Sequence, residues 1–269
     1  MVSLDGCAFD RVAADYRGKS LAQAAAADRL LGMLRPGPDE DVLDVGCGPG
    51  HVTGSIARKT LGRVVGVDIS PGMIEQAKKE NPGVEFRRLA AEDLDYNGEF
   101  DIVFSNSTLQ WFEDGPRAVG GMRAALREGG RLGVCCPSTP EFAPWFNRVV
   151  EAVVSRPEIA PVYAHRSSPW FHLPDLQAYV RFFEERGFRT EHAAIEYEAT
   201  RYAVDEAFGI FTAGPAQGFI GSQYYDIEQP PGYRERFCAA VREEMEAAAA
   251  GGSVVVDFNR LYYIAGAGG

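Results

Sequence analysis

This sequence of 269 residues is short of positive charge: 27 Lys and Arg stand against 38 Asp and Glu, a formal net charge of −11. No basic stripe offsets that repulsion, so nucleic acid is not expected as a partner; small molecules or a compact carrier protein are. Long apolar runs are missing as well. None approaches the roughly 18 residues that a membrane-spanning helix needs, and no membrane partner is expected. The first residues lack a basic stretch followed by an apolar one and carry Asp5 and Asp10 instead, so the expectation is a cytoplasmic protein without a secretory leader. The five cysteines (Cys7, Cys47, Cys135, Cys136, Cys238) form no C-x-x-C pair and no zinc-like spacing, which reads as reduced, structural thiols and no metal. Neither H-E-x-x-H nor G-x-S-x-G occurs, so metalloprotease and serine-hydrolase chemistry have no support.

What is present is concentrated in Val42-Leu43-Asp44-Val45-Gly46-Cys47-Gly48-Pro49-Gly50. An apolar run around an acid, closed by alternating glycines, reads as a buried parallel strand entering a tight turn, with a helix from His51 to Lys59 behind it. A glycine loop between strand and helix lets bare backbone amides approach a ligand, because glycine has no Cβ. The spacing is G-x-G-x-G, not the G-x-G-x-x-G of dinucleotide sites, and Asp44 precedes it by two residues. A carboxylate there suits a cofactor with an ammonium group and suits a pyrophosphate badly. The next strand, Arg63-Val64-Val65-Gly66-Val67-Asp68, ends in an acid eighteen residues after Gly50, placed to accept hydrogen bonds from ribose hydroxyls.

Asp44, Gly46, Gly48, Gly50, Asp68 and the following Ile69-Ser70-Pro71-Gly72-Met73 together resemble the class I S-adenosylmethionine-dependent methyltransferases, over about residues 40 to 136. The resemblance implies an α/β fold with a Rossmann-like sheet of seven strands, mostly parallel with the last antiparallel, and S-adenosyl-L-methionine as cofactor. It implies a cofactor site drawn from Tyr16, Gln23, Asp44, Gly46, Cys47, Gly48, Gly50, Asp68, Ile69, Met73, Ala91, Glu92 and Asn106. Ala90 departs from the pattern, standing where an Asp commonly meets the adenine amine.

Gln110-Trp111, just past the fourth strand, resembles a subset that methylates small carboxylates, the trans-aconitate and malonyl-carrier-protein methyltransferases among them. The indole N–H and the Gln amide are neutral donors able to orient a carboxylate. A carboxylate is ionised at neutral pH and needs no general base, so positioning by Gln110 and Trp111 would suffice. His165 and Arg166 are further candidates at the acceptor. His165 and His172, seven residues apart and without acids beside them in sequence, read more readily as surface or packing residues than as ligands. The expected reaction is methyl esterification of a small or carrier-bound acid. Alternatives are base-assisted N-, O- or C-methylation, an NAD-dependent oxidoreductase, and a non-catalytic cofactor-binding module.

Further along, strands are expected near 84–89, 100–105, 131–136, 188–197 and 255–265, with helices near 71–80, 116–127, 146–154 and 173–186. Residues 203–250 are mostly helical, broken at Gly214-Pro215 and Pro230-Pro231-Gly232. The division expected is a cofactor-binding core with a helical lead-in over 1–137, a substrate cap with strand six over 138–252, and the last strand with a frayed tail over 253–269. The cap thus enters after strand five and between strands six and seven. The sequence leaves the oligomeric state and the acceptor open.

Overall fold

In a computed structural model of the chain, residues 21–268 are described; Tyr16 and the rest of the lead-in lie outside them. The seven strands form one sheet in the order β3-β2-β1-β4-β5-β7-β6. They are β1 (Val42–Val45), β2 (Val64–Asp68), β3 (Glu85–Arg88), β4 (Phe100–Asn106), β5 (Leu126–Pro137), β6 (Phe188–Ala203) and β7 (Ser253–Ala267). β1 to β5 pair in parallel, while β7 runs antiparallel to both β5 and β6.

Parallel strands covered on both faces read as continuous apolar runs, and β1 is buried at every residue. Helix α1 (Leu21–Leu34) sets Ala26, Ala27, Leu30, Leu31 and Leu34 against one sheet face. The crossovers are α2 (His51–Ala57), α3 (Pro71–Glu80) and α4 (Gly115–Ala125). Ser70 caps α3 by accepting the Met73 amide at 3.1 Å, with Pro71 at the first helical position. Asp114 caps α4 by accepting the Arg117 amide at 3.0 Å. Strand order reverses between β1 and β4, which places a ligand crevice beyond their carboxyl ends.

Three boundaries depart from expectation. β5 starts at Leu126, not Arg131, because Leu126 pairs with Phe100 ahead of a bulge that contains Gly129, at φ 75°. β6 and β7 run beyond Tyr197 and start before Val255, pairing as far as Ala203 and Ser253. That outer half of the ribbon has its own apolar cover. Val254, Val256 and Phe258 pack with Phe142, just ahead of α5 (Pro144–Val154), and with Phe146, Phe211 and Phe237 from α5, α8 (Val204–Ala213) and α10 (Tyr233–Ala247), joined by the short α6 (Ala160–Tyr163) and α9 (Pro215–Ile220). By contrast α7 (Leu176–Glu184), which falls in the expected cap segment, buries Tyr179, Phe182 and Phe183 in the main core. The Phe183 ring stacks on Tyr263 with centroids 4.1 Å apart. Among the described residues no helix is long and apolar enough to cross a membrane.

Candidate active site

The turn after β1 is anchored to β2: the amides of Gly46 and Cys47 both donate to the Val67 carbonyl, at 2.8 and 2.9 Å. Gly46, Gly48 and Gly50 all have positive φ. Only Gly48 leaves open space, since a Cβ there would meet nothing within 4 Å. A Cβ on Gly46 would fall 2.2 Å from the Thr108 side chain, and one on Gly50 2.8 Å from Phe86. Gly50 is therefore a packing glycine behind the loop. Asp68, at the end of β2, accepts the Gly48 amide on Oδ2 and the Ser70 amide on Oδ1, each at 2.9 Å.

A cleft of about 970 Å³, counting its open mouth, begins at Gly46, Gly48, Asp68, Ile69 and Met73. It passes Gln23, Asn106, Ser107, Thr108 and Gln110, and continues to Trp111, Phe142, Trp170, His172, Phe258 and Arg260. The structure thus brings most of the expected site together on the carboxyl ends of β1, β2, β4 and β5. Asp44 is outside that lining. It is 2% exposed, and its Oδ2 accepts the Thr53 hydroxyl at 2.7 Å. Burial pushes its pKa up to about 7, and the nearby Asp68 charge adds to the effect while the Thr53 bond opposes it. With Cys47 it borders a second hollow that shares Gln23, Gly46, Gly48, Asn106 and Ser107 with the cleft.

Ala91 and Glu92 do not line the cleft either. Ala91 packs in the main core, and Glu92 accepts the amides of Glu113 at 3.0 Å and Asp114 at 3.4 Å. His165 and Arg166 were expected at the acceptor and are elsewhere. His165 is exposed, with Nδ1 2.8 Å from Asp226, an acid distant in sequence that the loop brings beside it. Arg166 supports the cap: Nε donates to the Gly218 carbonyl at 2.7 Å and the guanidinium lies 4.9 Å from the Trp170 ring centroid.

Gln110 and Trp111 sit on a single 3₁₀ turn, Leu109–Trp111, preceded by Ser107 at φ 58°. Gln110 is not a free pair of donors. Its amide nitrogen donates to the Ser107 carbonyl at 2.8 Å, and Oε1 is the atom left without a partner. Asn106 donates Nδ2 to the Gln23 carbonyl at 3.1 Å, and its Oδ1 is likewise unpartnered, as is Gln23 Oε1. Trp111 lies 6.1 Å from Trp170, centroid to centroid, which in turn stacks on His172. Burial pulls the His172 pKa down to about 4, against the opposing charge of Glu141, and its Nε2 has no partner.

On the acceptor side of the cleft, Phe142, Trp170, Phe258 and Arg260 are not among the residues expected at the site, and His172 was expected as a surface or packing residue. His172 gives no local signal and is brought in by the loop before α7. Arg260 did give one: it is a lone cation inside the apolar run of β7. It is 1% exposed, Nε donates to Glu198 Oε2 at 3.1 Å, and Nη1 is unpartnered.

A family profile described as a methyltransferase domain matches residues 43–134. The malonyl-[acyl-carrier protein] O-methyltransferase of Salmonella typhimurium is 30% identical over 185 residues, 66% of this chain and 72% of that protein. The chain belongs to the class I methyltransferase family. The namesake enzyme of Acetivibrio thermocellus is 37% identical over 129 residues, 46% of each chain. The trans-aconitate 2-methyltransferase of Deinococcus radiodurans is 33% identical over 124 residues, 45% of this chain and 47% of that protein. In these last two comparisons the match spans about half the length of the relative. Among solved structures, the YcgJ protein of Bacillus subtilis has a TM-score of 0.61 at 16% identity, covering 91% of this chain and 99% of that one. The geranyl diphosphate C-methyltransferase of Streptomyces coelicolor, solved with S-adenosyl-L-homocysteine, has a TM-score of 0.52 at 14% identity, covering 91% and 78%. Trp170, His172 and Arg260 all lie beyond residues 43–134, which the family profile matches.

Proposed function

We propose that the chain binds S-adenosyl-L-methionine and transfers its methyl group to a carboxylate of a small or carrier-bound acid, forming a methyl ester. The donor fits the residues at the loop end of the cleft. Gln23 Oε1, Asn106 Oδ1 and Gln110 Oε1 are unpartnered acceptors, which suit a cationic ligand carrying an ammonium and a sulfonium. Gly48 leaves room for close approach, and the amides of Gly48 and Ser70 fix the Asp68 carboxylate at the end of β2, where a ribose would lie. When bound, the donor supplies a methyl carbon already activated by its sulfonium, and the electron pair of the broken S–C bond stays on sulfur.

The rest falls to positioning. The single observation that carries the carboxylate reading is the chemistry of the acceptor wall: Trp111, Phe142, Trp170 and a neutral His172 present no strong base. An ionised carboxylate attacks through an oxygen lone pair and gives up no proton, so alignment and water exclusion suffice, worth roughly 7–11 kcal/mol. The relatives named for malonyl-carrier-protein and trans-aconitate methylation support the same acceptor class. A second reading rests on His172, whose unpartnered Nε2 would accept a proton from a hydroxyl, amine or carbon acid.

Mass spectrometry of products from purified protein, the methyl donor and a panel of small acids, acyl-carrier thioesters, amines and phenols decides between them. Methyl esters are the expected products. N-, C- or phenolic O-methylation would install the His172 reading. Donor hydrolysis with no methylated product would point to a non-catalytic module. Calorimetry should show S-adenosylmethionine bound at least a hundredfold more tightly than NADH, and equal affinities would reopen the oxidoreductase alternative.

A further inference from the structure

We propose that Arg260 selects the acceptor by donating Nη1 to a second, uncharged carbonyl oxygen on the acid, distinct from the carboxylate that is methylated. This deepens the carboxylate reading and rests on it. The guanidinium is buried in β7, with Nε bonded to Glu198 and Nη1 buried without a partner, and Arg260 is one of the residues that line the cleft. A buried N–H without a partner is a rarity that calls for one, and here the cleft supplies the place.

Position says what the partner belongs to. Arg260 pairs with Pro137 at the end of β5, whereas the glycine loop follows β1. β1 and β7 are three strand spacings apart through β4 and β5, about 14 Å. The loop and Asp68 hold the far end of the cleft, on the β2 side. A ligand group at Arg260 is therefore on the acceptor side, past the Gln110–Trp111 turn.

Charge says what kind of oxygen it is. Glu198 already balances the guanidinium at 3.1 Å, and it also accepts the Tyr262 hydroxyl at 2.6 Å. A second carboxylate would bring an uncompensated negative charge into a buried wall whose described residues include no other Arg or Lys, and the chain already carries −11. A ketone, ester, amide or thioester carbonyl takes the vacant N–H without that penalty. Tyr262 and Glu198 act as positioning residues, fixing the fork of the guanidinium.

The test uses the full chain and three matched series of two to six carbons in the spacer: dicarboxylates, their monomethyl esters, and monocarboxylates of equal length without a second oxygen. The expected order in kcat/KM is half-ester above monocarboxylate by at least tenfold, with the diacid below the half-ester. Arg260→Lys and the double variant Arg260→Met with Glu198→Gln should bring the half-ester and monocarboxylate within about threefold of each other, while donor affinity by calorimetry moves less than threefold. Because Arg260→Met alone would strand the Glu198 charge, Glu198→Gln is the more telling single change. It leaves the guanidinium unbalanced and should raise the diacid relative to the half-ester at least tenfold, a shift that a merely structural role would not produce. A diacid preferred by the wild type, selectivity ratios indifferent to both positions, or a large loss of donor affinity in the Arg260 variants would overturn the proposal. Absence of methyl ester from every acid would sink the carboxylate reading itself and this proposal with it, a result separable from esters formed without selectivity.

Discussion

One carboxylate, that of Asp68, receives the amide of Gly48 at 2.9 Å on one oxygen and the amide of Ser70 at 2.9 Å on the other. A single side chain therefore ties the glycine loop after β1 to the start of α3. Asp68→Ala is expected to remove both ties and the charge-assisted bonds to a ribose, roughly 1.5–3 kcal/mol. Donor affinity should fall ten- to a hundredfold in calorimetry. Asp68→Asn keeps one acceptor and should recover part of the loss. Equal dissociation constants for wild type and Asp68→Ala would mean that the donor does not lie along β2.

Gly46 and Gly48 share a left-handed backbone but not a surrounding. Gly46→Ala would drive a Cβ to 2.2 Å from Thr108 and should lower Tm markedly, because the turn after β4 has to move. Gly48→Ala meets open space, so its stability cost should stay near the 1–2 kcal/mol of a left-handed alanine. Its larger effect should be on donor binding, since the new methyl group enters the cleft. Thermal melts beside calorimetry separate the two, and a Gly48→Ala protein that binds the donor normally would show that the loop is not the cradle.

The parts legible in the sequence are those that a local pattern encodes. The glycine spacing, the acid ending β2 and the Ser70-Pro71 cap each follow from a few adjacent residues, and each stands where expected. The outer ribbon was illegible because Glu198 to Ala203 is mostly exposed and polar; it is a strand only because β7 supplies its partners and the cap supplies β7's cover. Asp44 shows the same limit within the motif. It lies in β1 as the pattern implies, but its bond to Thr53, nine residues on in the following helix, and the burial that raises its pKa leave no local trace in the sequence. The acceptor wall was the least legible, since Trp170, His172 and Arg260 meet only through tertiary contacts. His165 and Arg166 carried the right chemistry at the wrong address.

Asp44 and His172 should oppose each other in acid. The Asp44 pKa is raised from 3.8 to about 7 by burial, so its contribution is full below about pH 4 and is lost as pH rises to about 7, by roughly 4 kcal/mol at most. The His172 pKa is lowered from 6.5 to about 4 by burial, so its contribution is full above 6.5 and is lost as pH falls towards 4. Between those limits the two slopes offset. Asp44→Asn, which still accepts from Thr53, should leave stability climbing from pH 4 to 6.5 relative to wild type. His172→Gln should leave it falling from pH 4 to 7. Differential scanning calorimetry of the ligand-free protein across pH 4–8 measures both, and parallel curves for wild type and variants would refute the pair of shifts.

The pH dependence of turnover decides the acceptor atom. A carboxylate nucleophile is fully ionised well below neutrality, so kcat/KM with the true substrate should stay flat from about pH 6 to 9. His172 is already neutral across that range, so replacing it with Gln should change the rate by a packing effect and leave the profile flat. Trp111→Phe keeps most of the contact with Trp170 and removes the indole N–H, and should cost roughly 1.5–3 kcal/mol of transition-state stabilisation, about ten- to a hundredfold in kcat/KM. A limb rising through pH 6 to 8 that disappears in His172→Gln would instead mean that a proton leaves the acceptor in the transition state. An acid with a carboxylate pKa near 4 has no such proton to give, so that result would move the acceptor to a hydroxyl, an amine or a carbon acid and make His172 the catalytic base.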